Sequence, residues 1–222
     1  MKLLSIKKSL AVLGATGLFA AALPANAAII ISEFSPWSSG DSSYAADWFE
    51  LTNTGAASVN ITGWKVDDSS NSFGSAIALN GVSNIAAGQS VIFIEGNATT
   101  ANNFKAAWFG SNVPANFSIG YYSGSGIGLS TSGDALNIFN STGTLITRVD
   151  FSASTTDRTF DNAAGLNNGN ISTLSALGTN GAFTSVTGGE IGSPGVVPLP
   201  GALPLMMSAF GIVGGLRLRR KK

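Results

Sequence analysis

The chain has 222 residues, with no cysteine and no histidine, and its 12 basic and 12 acidic side chains cancel. Catalysis that needs a thiol nucleophile or an imidazole base is therefore excluded, as are metal sites built on thiolates or imidazoles. The charges are segregated, because residues 28–197 carry all twelve carboxylates and only four cations, a net charge of −8, between two basic ends. A body with this charge lacks the Lys and Arg that contact nucleic acid phosphates, so nucleic acid is not expected as a partner.

Residues 1–27 have the three parts of a secretory signal peptide. A basic start precedes an apolar stretch, and Ala25 and Ala27 then supply the small-x-small pattern that signal peptidase accepts. A membrane-anchoring helix is the alternative, but glycines and a proline interrupt the stretch, and about 20 apolar residues would be needed to span a bilayer. We therefore predict export, with signal peptidase cleavage after Ala27.

Residues 28–161 alternate short β-rich runs with turn clusters, which is the pattern of an all-β sandwich. The predicted strands are Ala28–Phe34, Asp47–Asn53, Val59–Val66, Val91–Ile94, Ala135–Phe139 and Leu145–Phe151. Val91–Ile94 is apolar at every position, so we expect it to be buried on both faces of a sheet. The residues Asn140–Gly143 have the composition of a hairpin loop between the last two strands.

Two later segments depart from the strand pattern. A Thr cap and apolar residues spaced by four predict a short helix from Thr100 to Phe109, packed on the sheet by Phe104 and Trp108. Residues 162–196 are rich in Gly, Asn and Ser, and we interpret them as an irregular, partly ordered edge followed by a linker.

Residues 197–222 combine a proline motif, an apolar segment and a basic end. The motif is Val197, Pro198, Leu199 and Pro200, the apolar segment runs from Gly201 to Leu216, and the basic end contains Arg217, Arg219 and Arg220. Sixteen helical residues span about 24 Å, and local thinning or Arg snorkelling would close the gap to a core of about 30 Å. The basic end should stay in the cytoplasm, so that the body faces away from it. The alternative, a buried core helix, fits badly with five cations in the last six residues.

This tail resembles the PEP-CTERM sorting signal of Gram-negative bacteria, in the variant whose motif reads Val-Pro-Leu-Pro. Leu199 stands where the commoner signal has Glu. The resemblance implies recognition by an exosortase, a membrane transpeptidase-like enzyme. It also implies a transient stay in the inner membrane before delivery to the cell surface or the exopolysaccharide matrix. A permanent single-span anchor is the alternative.

Several of the predicted strands resemble the lamin-tail domain, an immunoglobulin-like β-sandwich. The matching runs are Ile31–Glu33, Trp48–Gly55, Val59–Val66, Ile85–Gly88 and Gly133–Leu136. The resemblance covers residues 28–155 and implies a non-enzymatic interaction or adhesion module without catalytic residues. We therefore expect an immunoglobulin-like β-sandwich with one short helix, set between a signal peptide and a hydrophobic sorting helix. The expected role is that of an exported surface or matrix protein, with exopolysaccharide or other surface proteins as partners.

Carboxylates are the remaining candidates for catalysis. A glycosidase needs two carboxyl groups about 5–10 Å apart, and Glu33 and Glu50 lie on strands that could be neighbours. Alternation along the predicted strand Ala28–Phe34 places Glu33 on the face of Ile29 and Ile31. The structural alternative is that each carboxylate accepts hydrogen bonds from loop backbone or pairs with a cation such as Arg148.

A calcium-dependent carbohydrate-binding module is the other alternative function. The candidate ligands are Asp67, Asp68 and Asn71. The run Asp67–Asn71 has oxygen donors at alternate positions, as a calcium loop does, but Ser72 replaces the turn glycine and Ala78 stands where a bidentate Glu is needed. We interpret the run as solvated turn chemistry, with no cofactor assigned. Trp37 and Tyr44 could form an aromatic platform for sugars, or their loop could pack on the sandwich.

The two predicted processing events can be tested by intact-mass analysis of the protein from cell fractions and medium. We expect the envelope or secreted form to begin at Ala28 and to lack at least part of residues 197–222. A species that retains the first 27 residues after export would contradict the signal peptide prediction.

Overall fold

The apolar runs of the sequence form the central strands of two five-stranded sheets. The computed structural model describes residues 29–37, 42–124 and 127–196. Its strands are β1 (Ile29–Ser35), β2 (Trp48–Asn53), β3 (Val59–Asn60), β4 (Lys65–Asp67), β5 (Ile77–Ala78), β6 (Asn84–Ile85), β7 (Ser90–Glu95), β8 (Ile119–Tyr122), β9 (Gly133–Phe139), β10 (Leu145–Ser152), β11 (Phe160–Asp161), β12 (Gly169–Ile171), β13 (Phe183–Thr184) and β14 (Ile191–Gly192). The helix α1 is Ala98–Phe109.

The first sheet has the strand order β11-β1-β2-β7-β8, and the second has the order β12-β10-β9-β4-β5. Most neighbours are antiparallel, while β8 and β12 join the edges of their sheets in parallel to β7 and β10. Two short ribbons, β3-β6 and β13-β14, complete the described strands. This architecture is mostly β with one short helix, in agreement with the expected immunoglobulin-like sandwich.

The main core lies between the two sheets. Alternate residues of each strand point inward, so that side chains from both sheets meet in one cluster. The first sheet contributes Ile31, Phe34, Phe49, Leu51, Val91 and Phe93, and the second contributes Val66, Leu136, Ile138, Val149 and Phe151. The Phe34 ring centroid lies 4.9 Å from the centroids of both Phe151 and Phe160, which joins the sheets at one end.

The first sheet is buried on its outer face as well. Val91 and Phe93 point into the sandwich, whereas Ile92 and Ile94 belong to a second cluster together with residues of α1. All four residues are fully buried. The prediction that this strand is buried on both faces is confirmed.

The helix that covers this outer face begins at Ala98, two residues earlier than the predicted start at Thr100. Asn97 is the N-cap, and its side chain accepts hydrogen bonds from the backbone of Thr99 and Thr100. Thr100 is the reciprocal partner in a capping box, because its hydroxyl accepts a hydrogen bond from Asn97 N. The predicted packing is confirmed, since Phe104 and Trp108 are both buried in the second cluster.

The predicted strand Val59–Val66 is divided between β3 and β4, which belong to different sheets. Gly63 has φ of 76°, and Trp64 N donates to Ile61 O at 3.0 Å, so that the chain turns between the two strands. The predicted hairpin is confirmed, since β9 and β10 pair antiparallel on either side of a loop that contains Gly143.

Residues 162–196 are packed on the sandwich, in contrast to the irregular edge and linker that we expected. The strand β12 lies beside β10, and the buried Asn162 donates from Nδ2 to Ile31 O at 2.7 Å. The reason is long-range hydrogen bonding, which the local Gly and Ser content does not reveal. The segment therefore extends the folded body to Val196.

The packing of α1 on the first sheet predicts a large penalty for Phe104→Ala. Phe104 is fully buried, with ring centroids of Tyr44, Trp48 and Trp108 within 6 Å. Truncation should lower the free energy of unfolding by about 3–5 kcal/mol. Urea denaturation of the full chain measures this change. The control Val186→Ala removes a side chain that is 67% exposed and should cost less than about 0.5 kcal/mol.

Candidate functional site

Glu33 and Glu50 are brought together on the outer face of the first sheet. They are direct partners across β1 and β2, and each is only 1% exposed. A β-bulge between Ile31 and Glu33 turns the Glu33 side chain away from the face of Ile29 and Ile31. The expectation that Glu33 shares that face is therefore wrong, since strict alternation does not hold across a bulge.

The pair is covered by residues 190–196, which we call the C-terminal strap. Ser193 donates to Glu33 twice, from N to Oε1 at 2.8 Å and from Oγ to Oε2 at 3.0 Å. Gly195 N donates to Glu50 Oε2 at 2.6 Å. Among the described residues, neither carboxylate forms an ion pair with Lys or Arg. The strap thus offers backbone and hydroxyl donors where a cation would otherwise be expected.

Two chains of hydroxyl groups also end at the carboxylates. Ser32 Oγ donates to Glu50 Oε1 at 2.6 Å, and Thr52 Oγ1 lies 2.7 Å from Ser32 Oγ and 2.6 Å from Ser90 Oγ. In both hydroxyl pairs of this chain, either oxygen can be the donor. A second chain runs from Ser175 through Thr159 to Glu33 Oε1. Each of the four carboxyl oxygens of the pair thus has a hydrogen-bond partner.

Burial raises the pKa of both carboxyl groups. The pKa of Glu33 is raised to about 7, because burial and the nearby Asp161 outweigh the hydrogen bonds from Thr159 and Ser193. The pKa of Glu50 is raised to about 8 by burial and by the charge of Glu33. At neutral pH the pair therefore retains protons that solvent-exposed glutamates would have lost.

The strap fits the surface closely at its two glycines. A Cβ on Gly192 would lie 2.6 Å from Glu33 Oε1 and 2.9 Å from Trp108 Cη2. Gly195 has φ of 79°, and Val196 N donates to Ser193 O at 2.9 Å. With Pro194 second and Gly195 third, Ser193–Val196 has the residues and hydrogen bond of a type II turn.

Glu190 anchors the start of the strap. Tyr44 Oη donates to Glu190 Oε1 at 2.7 Å, and Trp48 Nε1 donates to Tyr44 Oη at 3.0 Å. Burial and the Glu190 charge raise the pKa of Tyr44 well above its ordinary value. Because Tyr44 is only 5% exposed, it does not form the aromatic platform considered for sugars, and it packs in the second buried cluster instead.

The candidate calcium run forms turns in which protein groups engage the carboxylates. Asp67 is fully buried and accepts hydrogen bonds from Ser70 Oγ at 2.8 Å and Ser72 N at 2.7 Å. Asp68 Oδ1 accepts from Ser70 N, and Asn71 takes up φ of 49° in the same turn. Within the described part of the chain, no three acidic side chains are grouped as metal ligands would be.

The predicted processing residues lie outside the described residues. They are Ala25, Ala27, Val197, Pro198, Leu199, Pro200, Gly201, Leu216, Arg217, Arg219 and Arg220. Among the residues that are described, no helix is long and apolar enough to cross a membrane.

Sequence reasoning identified Glu33 and Glu50 as candidate neighbours but missed what covers them. Ser193, Gly195 and Glu190 fell in the segment that we interpreted as an edge and linker. The Pro-Gly pair at 194–195 was an available turn signal. It does not reveal docking, since no local pattern specifies a partner on another strand.

A model of the lamin tail domain family matches residues 22–153, which is more than half of the chain. The chain belongs to the lamin tail domain family. This family is a non-enzymatic, immunoglobulin-like interaction domain. A search of curated proteins finds no match.

The lamin tail domain match ends just after β10. The match therefore includes both Glu33 and Glu50. The strap begins at residue 190, which is 37 residues after the last matched residue. The carboxylates thus lie within the residues that the family model matches, and the segment that covers them lies beyond those residues.

The raised pKa values predict that the protein is more stable at pH 5.5 than at pH 8.5. An unfolded Glu has a pKa of about 4.3, so between about pH 4.5 and pH 8 the folded state binds more protons than the unfolded state. The free energy of unfolding therefore falls as the pH rises through this interval. We expect Tm of the full chain to drop by at least about 5 °C, as followed by circular dichroism.

The double variant Glu33→Gln with Glu50→Gln should flatten this slope. A residual slope should remain from Asp47, because burial also raises its pKa to about 7. The control Asp150→Asn alters a side chain that is 44% exposed and should keep the wild-type slope. An unchanged slope in the double variant would contradict the assignment to Glu33 and Glu50.

Proposed function

We propose that this protein is an exported, non-enzymatic component of the cell surface or extracellular matrix. Its lamin tail domain acts as an interaction or adhesion module, and exosortase-type sorting delivers it. Membership of the lamin tail domain family supports the interaction role. The signal-peptide pattern and the PEP-CTERM-like tail support export and sorting.

The observation that carries this proposal is the burial of Glu33 and Glu50, the carboxylate pair that the sequence analysis considered for catalysis. A glycosidase needs an open cleft in which a sugar reaches both carboxyl groups. Here Glu33 and Glu50 are each 1% exposed, and the strap occupies their oxygens. The arrangement therefore supports a structural role for the pair.

Two open surface pockets also support a non-enzymatic role. One pocket of about 370 Å³ is lined by Thr62–Gly63 and Ala78–Ser83, and another of about 340 Å³ is lined by Ala86–Ser90, Asn116 and Gly195. Neither is lined by a charged side chain or exposes Glu33 or Glu50. These features suit binding through backbone and amide groups better than acid–base chemistry.

The sorting part of the proposal is tested by two tail variants in the native host. Deletion of residues 197–222 should abolish surface and matrix location, since neither recognition motif nor apolar segment remains. The triple variant Pro198→Ala, Leu199→Ala, Pro200→Ala keeps the apolar segment and should accumulate in the inner membrane. Cell fractionation and protease treatment of intact cells measure these locations.

Wild-type surface location of both variants would contradict sorting by the tail. Surface location of the triple variant alone would assign delivery to the apolar segment and not to the motif. The control variant Lys105→Ala changes a cation within the folded body and should be delivered like the wild type.

A further inference from the structure

We propose that the docked C-terminal strap restricts access to the chain that follows it, so that a sorting enzyme acts on residues 197–200 only after the strap has left the sheet. This regulation rests on the proposed function, in which the proline motif is recognised and the apolar segment from Gly201 enters the membrane. The strap is the last described segment of the body, and the predicted motif begins at the next residue.

The strap is attached to the body as far as its last residue. Gly195 N donates to Glu50 Oε2 at 2.6 Å, and Ser90 Oγ donates to Val196 O at 3.5 Å. The Val196 side chain also lies against the turn at Gly181, since a Cβ there would come within 2.7 Å of Val196 Cγ1. The chain is therefore held on the body up to the residue before the motif.

The contacts of the strap favour the docked form. Ser193 donates to Glu33 from both its N–H and its hydroxyl, and Gly195 donates to Glu50. Both carboxyl groups are buried, so that the loss of these donors is costly. The turn formed by Ser193–Val196 presents the donors together. Undocking is therefore an infrequent local opening of the folded body.

The chain between the docked strap and the apolar segment is short. Residues 197–200 span at most about 14 Å when fully extended. A single helix of a membrane enzyme is about 10–12 Å across with its side chains, so that the body and the bilayer leave little room for an active site. An enzyme that binds its substrate as an extended peptide also contacts residues on both sides of the bond, and on the N-terminal side these include the end of the strap. Undocking of residues 190–196 would lengthen the free chain to at most about 38 Å.

Access to the chain is tested with elastase, which cleaves after small aliphatic residues such as Val196, on the purified full chain in a mild non-ionic detergent. The variant Glu33→Ala with Glu50→Ala removes the acceptors of the strap and leaves the cleaved sequence unchanged. We expect cleavage after Val196 to become at least about tenfold faster, because its rate follows the population of the undocked strap and each lost hydrogen bond contributes about fivefold. Intact mass identifies the cut, and circular dichroism verifies that the body is folded. Because no sorting enzyme is present, this outcome is independent of whether the tail is a sorting signal.

The matched control is Asp67→Ala with Asp134→Ala. It removes two carboxylates of the second sheet that accept hydrogen bonds from turn backbone, and it should be cleaved after Val196 at the wild-type rate. Equal rates in the wild type and in the variant of Glu33 and Glu50 would overturn the proposal. Equally fast cleavage of the control would also overturn it, since access would then reflect a general loss of stability.

A linker insertion tests the same restriction in the native host without any change to the strap. A flexible segment of Gly and Ser between Val196 and Val197 supplies free chain beyond the docked strap. We expect C-terminal processing, followed by pulse-chase labelling and intact mass, to become at least about tenfold faster and insensitive to the loss of the two glutamates. The same linker between Gly188 and Gly189, in the exposed turn before the strap, leaves the attachments in place and should be processed like the wild type.

Equal processing rates in all of these proteins would overturn the control of sorting by the strap. Absence of C-terminal processing in every one of them would instead contradict the sorting function itself, and with it the role of the strap in sorting. The elastase result separates the two failures, since it reports on the strap alone.

Discussion

The burial of the first sheet on both faces is the constraint on which the rest of the structure depends. Val91 and Phe93 fill the sandwich from one face of β7, while Ile92 and Ile94 require an apolar cover on the other. The helix α1 supplies that cover over one half of the face. The other half carries Glu33 and Glu50, and there the cover is the C-terminal strap.

The two halves of this outer face are held by different forces. Under α1, aromatic rings such as Phe104 and Trp108 pack in an apolar cluster, and neither of these two side chains carries an ionisable group. Under the strap, backbone N–H groups meet carboxyl oxygens, so that contact depends on geometry and on charge. The apolar half is therefore held mainly by contacts between uncharged rings, while the polar half holds its segment through ionisable groups.

The scaffold lies within the residues that the family model matches, and the strap lies beyond them. The lamin tail domain match contains both sheets' central strands and α1, which form the scaffold. The strap follows the match and ends at Val196, directly before the sequence that resembles a sorting tail. An interaction module on this scaffold would thus be joined to its proposed delivery signal by a segment that packs on the carboxylate pair.

Features that depend on near neighbours along the chain could be predicted from the sequence alone. Apolar alternation identified the central strands, Asn140–Gly143 the hairpin, and the spacing of Phe104 and Trp108 the helix, because each pattern reflects local geometry. The direction of Glu33, which depends on a bulge, and the docking of residues 162–196 follow instead from contacts between distant parts of the chain. Ser193 meets Glu33 across 160 positions of the chain. A contact of that range depends on how the whole sandwich folds, and therefore no local pattern encodes it.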